Sequence, residues 1–298
     1  MVRPANFGFN VDTRATNTFQ REAPSLVASA NERALVEFDG LARQLLESGV
    51  RVCASEDLAS PACPDAIFPN NWVSFHDDGT VVLYPMLAPS RRRERRLDLI
   101  AAVVERGGFR PSRLLDLTHH EFEGRFLEGT GSVVFDHVAR VAYACRSPRT
   151  HDEPLADLCA ELGYEPCVFG AHDAQGVPIY HTNVMLAIGS RFAVVAAEPM
   201  AAADRERVLA MLRDSGRTVE CIDAAQVSSY AGNVLELRGQ DGGRILAMSR
   251  SAAAAFGTAA LERLQACVDR RVVASIPTIE TLGGGSVRCM LAEVFLPR

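Results

Sequence analysis

Residues 71–84 read NWVSFHDDGTVVLY, and this stretch decides the fold. Two short apolar segments, 71–75 and 81–84, flank an Asp-Asp-Gly turn. An Asp-Gly pair between such segments is a strong short-range signal for a β-hairpin. A helix is predicted next, over residues 91–106, because a Gly-Gly pair ends its pattern. The stretch therefore predicts a hairpin followed by a helix.

The same order recurs along the chain. Three further copies, each with two apolar segments, a turn and a helix, lie in residues 131–162, 182–212 and 233–264. The residues that open the successive units are Asn71, Glu128, His181, Asn233 and Cys289. The last four of them are separated by 53, 52 and 56 residues. A regular period of this length is typical of a repeat architecture rather than of separate domains.

A fifth unit begins at Val287 and reaches the C-terminus before its helix. We expect its helix to be the N-terminal one, which Asn31 caps and Gly49 ends. Closure of the last strand on the first segment would remove exposed strand edges. The chain is thus predicted to be one α/β domain, 1–298, in the form of a five-bladed pseudo-symmetric propeller of hairpin-plus-helix repeats.

A glycine-rich segment, Gly283-Gly284-Gly285-Ser286-Val287-Arg288-Cys289, approaches the fifth unit. Three glycines allow positive φ and close approach of a ligand to the backbone. The apolar run 287–296 that follows predicts a short strand with Cys289 near its start. Cys289 is a candidate nucleophile, although a free cysteine is more often a small buried hydrophobic residue.

The repeat supplies this cysteine with partners. Equivalent positions of a ring meet at its axis, so Glu128 and His181 are expected near Cys289. A cysteine nucleophile needs a base, and the base needs a group that orients it. A histidine alone is commonly structural and a lone glutamate is commonly solvated, but their occurrence at equivalent positions favours catalysis.

Composition excludes several classes of function. The chain has 298 residues and a net charge of -6, and all 31 of its basic residues are arginine. This balance gives no reason to expect nucleic acid or an anionic membrane as partner. Eight scattered cysteines without CxxC pairs, and no signal-like or long apolar segment, predict a cytoplasmic protein with reduced thiols. A homodimer is left open.

Two patterns are not assigned to the site. His119 and His120 match neither an HExxH helix nor a Cys/His pattern, so no metal is expected. The basic run 91–96 is expected to form a solvated face at a helix start. The glycine triplet lacks the Gly-Lys-Ser/Thr of a phosphate loop, and no cofactor is expected.

Several motifs together resemble the guanidine-modifying (amidinotransferase) superfamily of the pentein fold, which includes arginine deiminases and dimethylargininases. The matching segments are Leu127-Glu128-Gly129, His181-Thr182-Asn183, Ser147-Pro148-Arg149-Thr150, Ser90-Arg91-Arg92-Arg93-Glu94 and Gly283–Cys289. The resemblance implies a hydrolase of non-peptide C–N bonds that acts on a small amino-acid substrate. It implies Cys289 as nucleophile, His181 as proton carrier and Glu128 as the partner of His181.

Two departures from this pattern bear on the substrate. Deiminases generally hold a guanidinium between two aspartates, whereas this chain has Asn70-Asn71 and Asn183 in those places. A carboxamide both donates and accepts hydrogen bonds, and it attracts a cation less than a carboxylate does. A neutral ureido group suits two asparagines better than arginine does. The segments FPNNW and YHTN also resemble those of the citrulline hydrolases.

The expected reaction is therefore hydrolysis of citrulline, or a close analogue, to ornithine, ammonia and carbon dioxide through a covalent Cys289 intermediate. The expected substrate-binding residues are Asn70, Asn71, Asn183, Arg149, Asn10 and Arg14. Among them Arg149 is expected to bind the α-carboxylate, and the last two are expected to be loop contacts.

Two alternatives stay open from the sequence. The first is a hydrolase of arginine or dimethylarginine, or an amidinotransferase, of the same superfamily. The second is a non-catalytic propeller that binds a small ligand and whose Cys289 is inert.

Overall fold

The computed structural model describes residues 1–298. Its strands are β1 Val2–Arg3, β2 Ser55–Glu56, β3 Val73–Phe75, β4 Thr80–Leu83, β5 Arg113–Asp116, β6 Val133–Asp136, β7 Val141–Cys145, β8 Glu165–Phe169, β9 Leu186–Ile188, β10 Phe192–Val195, β11 Thr218–Cys221, β12 Leu235–Arg238, β13 Arg244–Ser249 and β14 Arg270–Ala274. Its α-helices are α1 Pro24–Val27, α2 Ala30–Glu47, α3 Leu97–Gly107, α4 Gly129–Ser132, α5 Asp152–Leu162, α6 Ala202–Asp214, α7 Ala224–Ser228 and α8 Arg250–Gln265. Shorter turns of helix are Pro69–Asn71, Pro89–Glu94, Thr118–Glu123, Thr182–Val184, Ile279–Gly283 and Val287–Met290.

Four three-stranded sheets share one plan. In each, an antiparallel hairpin is followed by a helix and by a third strand that runs parallel to the second strand of the hairpin. The sheets are β3-β4-β5, β6-β7-β8, β9-β10-β11 and β12-β13-β14. The four predicted hairpins are confirmed, and the turn glycine of the first, Gly79, has a φ of 88° that suits glycine.

The third strand of each sheet is absent from the sequence prediction. These strands lie at sheet edges, where polar side chains interrupt the apolar alternation. In β5, for example, three of four residues are exposed. A fifth sheet pairs β1 with β2 in parallel, and α2 connects the two strands. Helix α2 begins at Ala30, and Asn31 does not cap it but accepts a hydrogen bond from Phe7 N at 2.8 Å.

The predicted strand over 287–296 is wrong. Val287–Met290 is a 3₁₀ turn in which Cys289 N donates to Ser286 O at 3.0 Å, and only Val294 pairs, through a bridge to Phe75. The backbone reverses at Gly284, whose φ is 64°, and the Ser286 hydroxyl donates to Glu280 Oε1 at 2.7 Å. Local hydrogen bonds thus replace a strand ladder around the thiol.

The basic run 91–96 was predicted to be solvated, and this is wrong for Arg91. The helix α3 begins only at Leu97, and Arg91 lies in the preceding 3₁₀ turn with 2% of its surface exposed. Its guanidinium contacts Glu94 at 2.8 Å and lies 3.7 Å from Asp65. A buried charge persists when such partners compensate it.

Apolar side chains of neighbouring sheets meet in four clusters, the largest of which has 35 buried residues. None of the helices combines the length and the apolar character needed to cross a bilayer. The residues that open the repeat units precede the first strands of the sheets, so this fold places them at one end of those strands.

A buried ion pair connects two of the sheets. Arg217, ahead of β11, donates to both oxygens of Asp136 at 2.7 and 2.9 Å, and to Gly189 O at 2.8 Å. Replacing Arg217 with methionine leaves the Asp136 carboxylate buried without its cation. We expect Arg217→Met to lower the free energy of unfolding in urea by about 3–5 kcal/mol.

The matched control is Arg263→Met. Arg263 also pairs with a carboxylate, that of Glu220 at 2.9 Å, but its side chain is 53% exposed. We expect this variant to unfold close to the wild-type midpoint, because exposed pairs contribute little. Equal effects of the two substitutions would contradict the inference.

Candidate active site

Cys289 lies in the Val287–Met290 turn with 3% of its surface exposed. Two carboxamides reach its sulfur, with Asn233 Nδ2 at 3.3 Å and Asn183 Nδ2 at 3.6 Å. Asn233 Nδ2 also donates to Asn183 O at 3.0 Å, which ties the two units together. Amide N–H groups held in this way can solvate negative charge on reacting atoms beside the sulfur.

Glu128 and His181 form a second buried contact at the same end of the strands. Glu128 precedes α4, His181 precedes the Thr182–Val184 turn, and Glu128 Oε2 lies 2.8 Å from His181 Nε2. An ionised carboxylate only accepts hydrogen bonds, so Nε2 carries the proton and Nδ1 keeps the lone pair. The imidazole therefore offers Nδ1 as its basic atom.

The charges around this pair decide its ionisation. Burial alone would raise the pKa of Glu128, but the Arg149 guanidinium at 3.2 Å and the hydrogen bond from His181 hold that pKa well below its usual range. Burial lowers the pKa of His181 to about 4, against the opposing effect of Glu128. At neutral pH the pair consists of a carboxylate and a neutral imidazole.

Asn70 and Asn71 lie buried in the Pro69–Asn71 turn. Asn71 Oδ1 accepts a hydrogen bond from Arg91 Nη1 at 2.8 Å, whereas Asn71 Nδ2 and both polar side-chain atoms of Asn70 have no partner. Buried polar atoms without partners cost free energy unless a ligand or water satisfies them. Because Asn71 lines a narrow cavity together with His181 and Cys289, its Nδ2 is a donor available to a bound molecule.

The same cavity contains a buried carboxylate. Asp65 is 3% exposed, and its Oδ2 accepts a hydrogen bond from Asn10 Nδ2 at 2.8 Å. Its Oδ1 has no partner. Burial raises the pKa of Asp65, and the nearby Arg91 charge opposes that effect. The cavity thus combines carboxamide donors with one carboxylate acceptor.

Three predicted residues remain to be placed, Arg149, Asn10 and Arg14. Arg149 lines the cavity, but its guanidinium is already bonded to Glu128, to Thr16 Oγ1 at 2.7 Å and to Thr13 O. Asn10 is buried against Asp65. Arg14 is not brought to the cavity, because it forms a solvent-exposed pair with Glu22 at 2.7 Å.

Sequence reasoning did not select three residues of this site. Asn233 occupies a repeat-equivalent position and could have been selected by that signal. Arg91 lies in a segment that carries the family resemblance, yet its helix-start context suggested solvent. Asp65 stands in a Pro-rich loop outside the repeat, and no sequence signal identifies it.

Comparisons with known proteins agree with this fold. A family model described as N,N dimethylarginine dimethylhydrolase, eukaryotic, matches residues 3–296. No curated protein matches the sequence.

Several solved structures superpose on nearly the whole chain. The N-terminal domain of ArgZ bound to product, an arginine dihydrolase from the ornithine-ammonia cycle in cyanobacteria, gives a TM-score of 0.75 at 17% identity, over 100% of this chain and 98% of that one. AgrE with ornithine and NAD+ gives 0.76 at 17% identity, over 100% of this chain and 39% of that one. A dimethylarginine dimethylaminohydrolase variant in an adduct with S-methyl-L-thiocitrulline gives 0.65 at 15% identity, over 97% and 96%. At these identities the likeness shows the fold.

Because Gly131 has no side chain, Asn71 and His181 can pack directly against its backbone. A Cβ atom at this position would lie 2.4 Å from Asn71 Nδ2 and 2.9 Å from His181 Nδ1. We expect Gly131→Ala to lower the free energy of unfolding in urea by about 1–3 kcal/mol, the usual effect of overpacking. The control is Gly40→Ala inside α2, where nothing lies within 4 Å, and it should be neutral or stabilising. Equal effects of both would contradict the close packing.

The ring of His181 provides a pH test. We expect its NMR signals, assigned by their loss in His181→Asn, to titrate near pH 4. A solvent-exposed histidine titrates near about 6.5. Because a lowered pKa keeps the ring neutral, the base form should persist as pH falls from 6.5 and disappear only through about 4. A midpoint near about 6.5 would contradict the buried environment.

Proposed function

The chain belongs to the N,N-dimethylarginine dimethylhydrolase family, within the pentein guanidine-modifying superfamily, and on that premise we propose that it hydrolyses the ureido C–N bond of citrulline or a close analogue. As a member of this family it is a hydrolase of C–N bonds other than peptide bonds. The proposal concerns its substrate and the roles of its residues.

One observation carries the choice of substrate. The side chains within hydrogen-bond reach of Cys289 Sγ are two carboxamides, those of Asn233 and Asn183. A guanidinium bound there would meet no carboxylate at the sulfur, whereas a ureido carbonyl can accept from an amide N–H. Amides aimed at that oxygen would stabilise the negative charge that develops on it during attack.

The first step uses Cys289 as nucleophile. Its sulfur attacks the ureido carbon and forms an S–C bond, and the C–N bond to the amino-acid side chain then breaks. His181 delivers a proton to the departing nitrogen, so ornithine leaves as the amine. The cysteine thiol is the source of that proton, which passes to Nδ1 as the thiolate forms.

The second step releases the enzyme. The intermediate is a carbamoyl group on the sulfur, and the neutral Nδ1 of His181 takes a proton from water as the water attacks that carbon. The S–C bond breaks, the imidazolium returns its proton to the departing sulfur, and the carbamic acid released decomposes to ammonia and carbon dioxide. Glu128 does not exchange the proton; it orients the ring and stabilises the imidazolium that forms transiently.

The residues that hold the substrate are assigned from their charge and from their missing hydrogen bonds. We assign Asn70 and Asn71 to the ureido group, because their partnerless amide atoms need a ligand. We also retain Arg149 as the group for the α-carboxylate, on the condition that its contacts with Thr13 and Thr16 loosen when substrate enters. Asn10 and Arg14 are proposed to act from the loop that carries those threonines, Asn10 through its hydrogen bond to Asp65 and Arg14 after its exposed pair with Glu22 opens and the loop moves inward.

A guanidino substrate is the second candidate, and Asp65 favours it. Its partnerless, buried Oδ1 in the same cavity could accept from a cation. AgrE has been solved as a complex with L-arginine, and ArgZ is an arginine dihydrolase. Arginine as substrate, with citrulline as product or intermediate, is therefore the alternative that any assay must separate.

We further propose that residues 1–298 form one catalytic domain whose five sheets surround the site as a closed five-bladed ring. The parallel bridge from Val294 to Phe75 supports this arrangement, because it joins the last segment of the chain to the first hairpin. The β1–β2 pair, connected by α2, would then complete the fifth unit.

Product analysis tests the substrate. Purified protein is incubated separately with L-citrulline, L-arginine and N,N-dimethylarginine, and ornithine, citrulline and ammonia are measured. We expect ornithine and ammonia from citrulline, at a rate at least about 1,000-fold lower in Cys289→Ala. Citrulline accumulating from arginine, with no turnover of citrulline itself, would favour the second candidate.

A charge variant separates the two candidates further. Asn183→Asp places a carboxylate beside the sulfur without changing size. We expect at least about tenfold slower turnover of citrulline, since a like charge disfavours the thiolate and repels the developing oxyanion. Unchanged citrulline turnover in this variant would refute the role of the carboxamide.

A further inference from the structure

A second, larger cavity lies along the same strands. Its volume is about 810 Å³, which lies within the range of small-molecule sites, and apolar side chains predominate in its lining. Strands β3, β9 and β12 run along it, and so does the C-terminal segment 291–295. No residue lines both this cavity and the one that contains Cys289.

The wall between the two cavities is thin. Arg288 lines the large cavity and its chain neighbour Cys289 lines the catalytic one. In the same way Trp72 faces the large cavity and Asn71 faces the catalytic one. The large cavity is thus a separate site, although consecutive residues contribute to both.

The interior of the large cavity has an unbalanced negative charge. Glu236 and Glu293 both line it, and Glu236 Oε2 is buried without a hydrogen-bond partner. Two arginines with buried side chains line the cavity: Arg217 is paired with Asp136, and Arg288 has Nη2 at 3.6 Å from Glu293 Oε2 while its Nη1 donates to Leu291 O. Burial and the charge of Glu236 raise the pKa of Glu293. A cationic group inside the cavity would satisfy the free carboxylate oxygen.

The rim carries the opposite charge. Arg51 and Arg238 line the cavity with exposed side chains and take part in none of the ion pairs of the structure. Arg238 follows Glu236 by two residues on β12, so both side chains project from one face of the strand, from backbone positions about 7 Å apart. The negative interior and the positive rim are therefore carried by neighbouring positions of one strand.

We infer that this cavity binds a small zwitterionic molecule, either an amino acid or an ω-amino acid. Its ammonium group pairs with Glu236, and its carboxylate pairs with Arg238. The molecule spans roughly 6–7 Å between its charges, about the length of an extended five-carbon chain. Its methylene groups contact the apolar wall that Trp72 and Phe75 provide.

Titration calorimetry with three probes of equal chain length tests this site. The probes are δ-aminovalerate, cadaverine and valerate, which carry both charges, two cations and one anion. We expect δ-aminovalerate to bind wild-type protein at least about tenfold more tightly than either matched probe, since each retains only one of the two charge-assisted contacts. No measurable binding of δ-aminovalerate, or equal binding of cadaverine, would overturn the inference.

Variants locate the binding. Glu236→Gln and Arg238→Gln should each weaken δ-aminovalerate binding at least about tenfold. The control is Glu206→Gln, an exposed glutamate on α6 outside both cavities, which should bind like wild type. Binding that is undiminished in Glu236→Gln would place the molecule elsewhere and overturn the assignment.

A stability measurement distinguishes a ligand site from a structural role of Glu236. Removal of an unpaired buried charge should leave the melting temperature of Glu236→Gln equal to or above that of wild type. A fall in melting temperature would show that the carboxylate supports the fold, and the site would lose its basis.

Discussion

The buried carboxylate of Glu128 is the contact on which the rest of the site depends. It is fully buried, and it stays ionised because Arg149 lies at 3.2 Å, Arg91 at 3.9 Å and Leu87 N donates to it at 3.2 Å. These partners come from two segments of the chain, the loop and turn 87–91 and the loop that carries Arg149. Burial of an isolated charge costs several kcal/mol, so the segments are held together by the need to compensate it. The orientation of His181 is a consequence of that same charge.

Around this charge the structure leaves other polar atoms without partners. Native proteins satisfy most buried polar groups, so an orphan usually marks a ligand or a water. Asn70, Asn71 and Asp65 have such atoms, and they gather in a loop and turn immediately ahead of β3. Cations thus compensate the buried charge of Glu128, whereas the neighbouring amide groups of Asn70 and Asn71 have atoms without hydrogen-bond partners. Glu128 therefore organises the site, and the polar atoms without partners are the ones that can contact a substrate.

The repeat predicted the site better than any local motif did. Near-equal spacing places Asn71, Glu128, His181 and Asn233 at the starts of successive first strands, and that is a geometric consequence of strand order. Residues outside the repeat lack such a signal, which is why Asp65 could not be found. Burial of Arg91 depends on Glu94 and Asp65 meeting it in space, and a basic run of sequence looks solvated without them. The edge strands were missed because their exposed residues carry no apolar period.

The turn at Cys289, where a strand was expected, changes how the two cavities are related. A strand would have held the thiol through a ladder with neighbouring strands. The 3₁₀ turn is instead held by its own short hydrogen bonds and by Arg288, whose guanidinium donates to Leu291 O and pairs with Glu293. Arg288 directly precedes Cys289 and lines the large cavity, so the residue that supports the turn beneath the sulfur is also part of the wall of the other cavity.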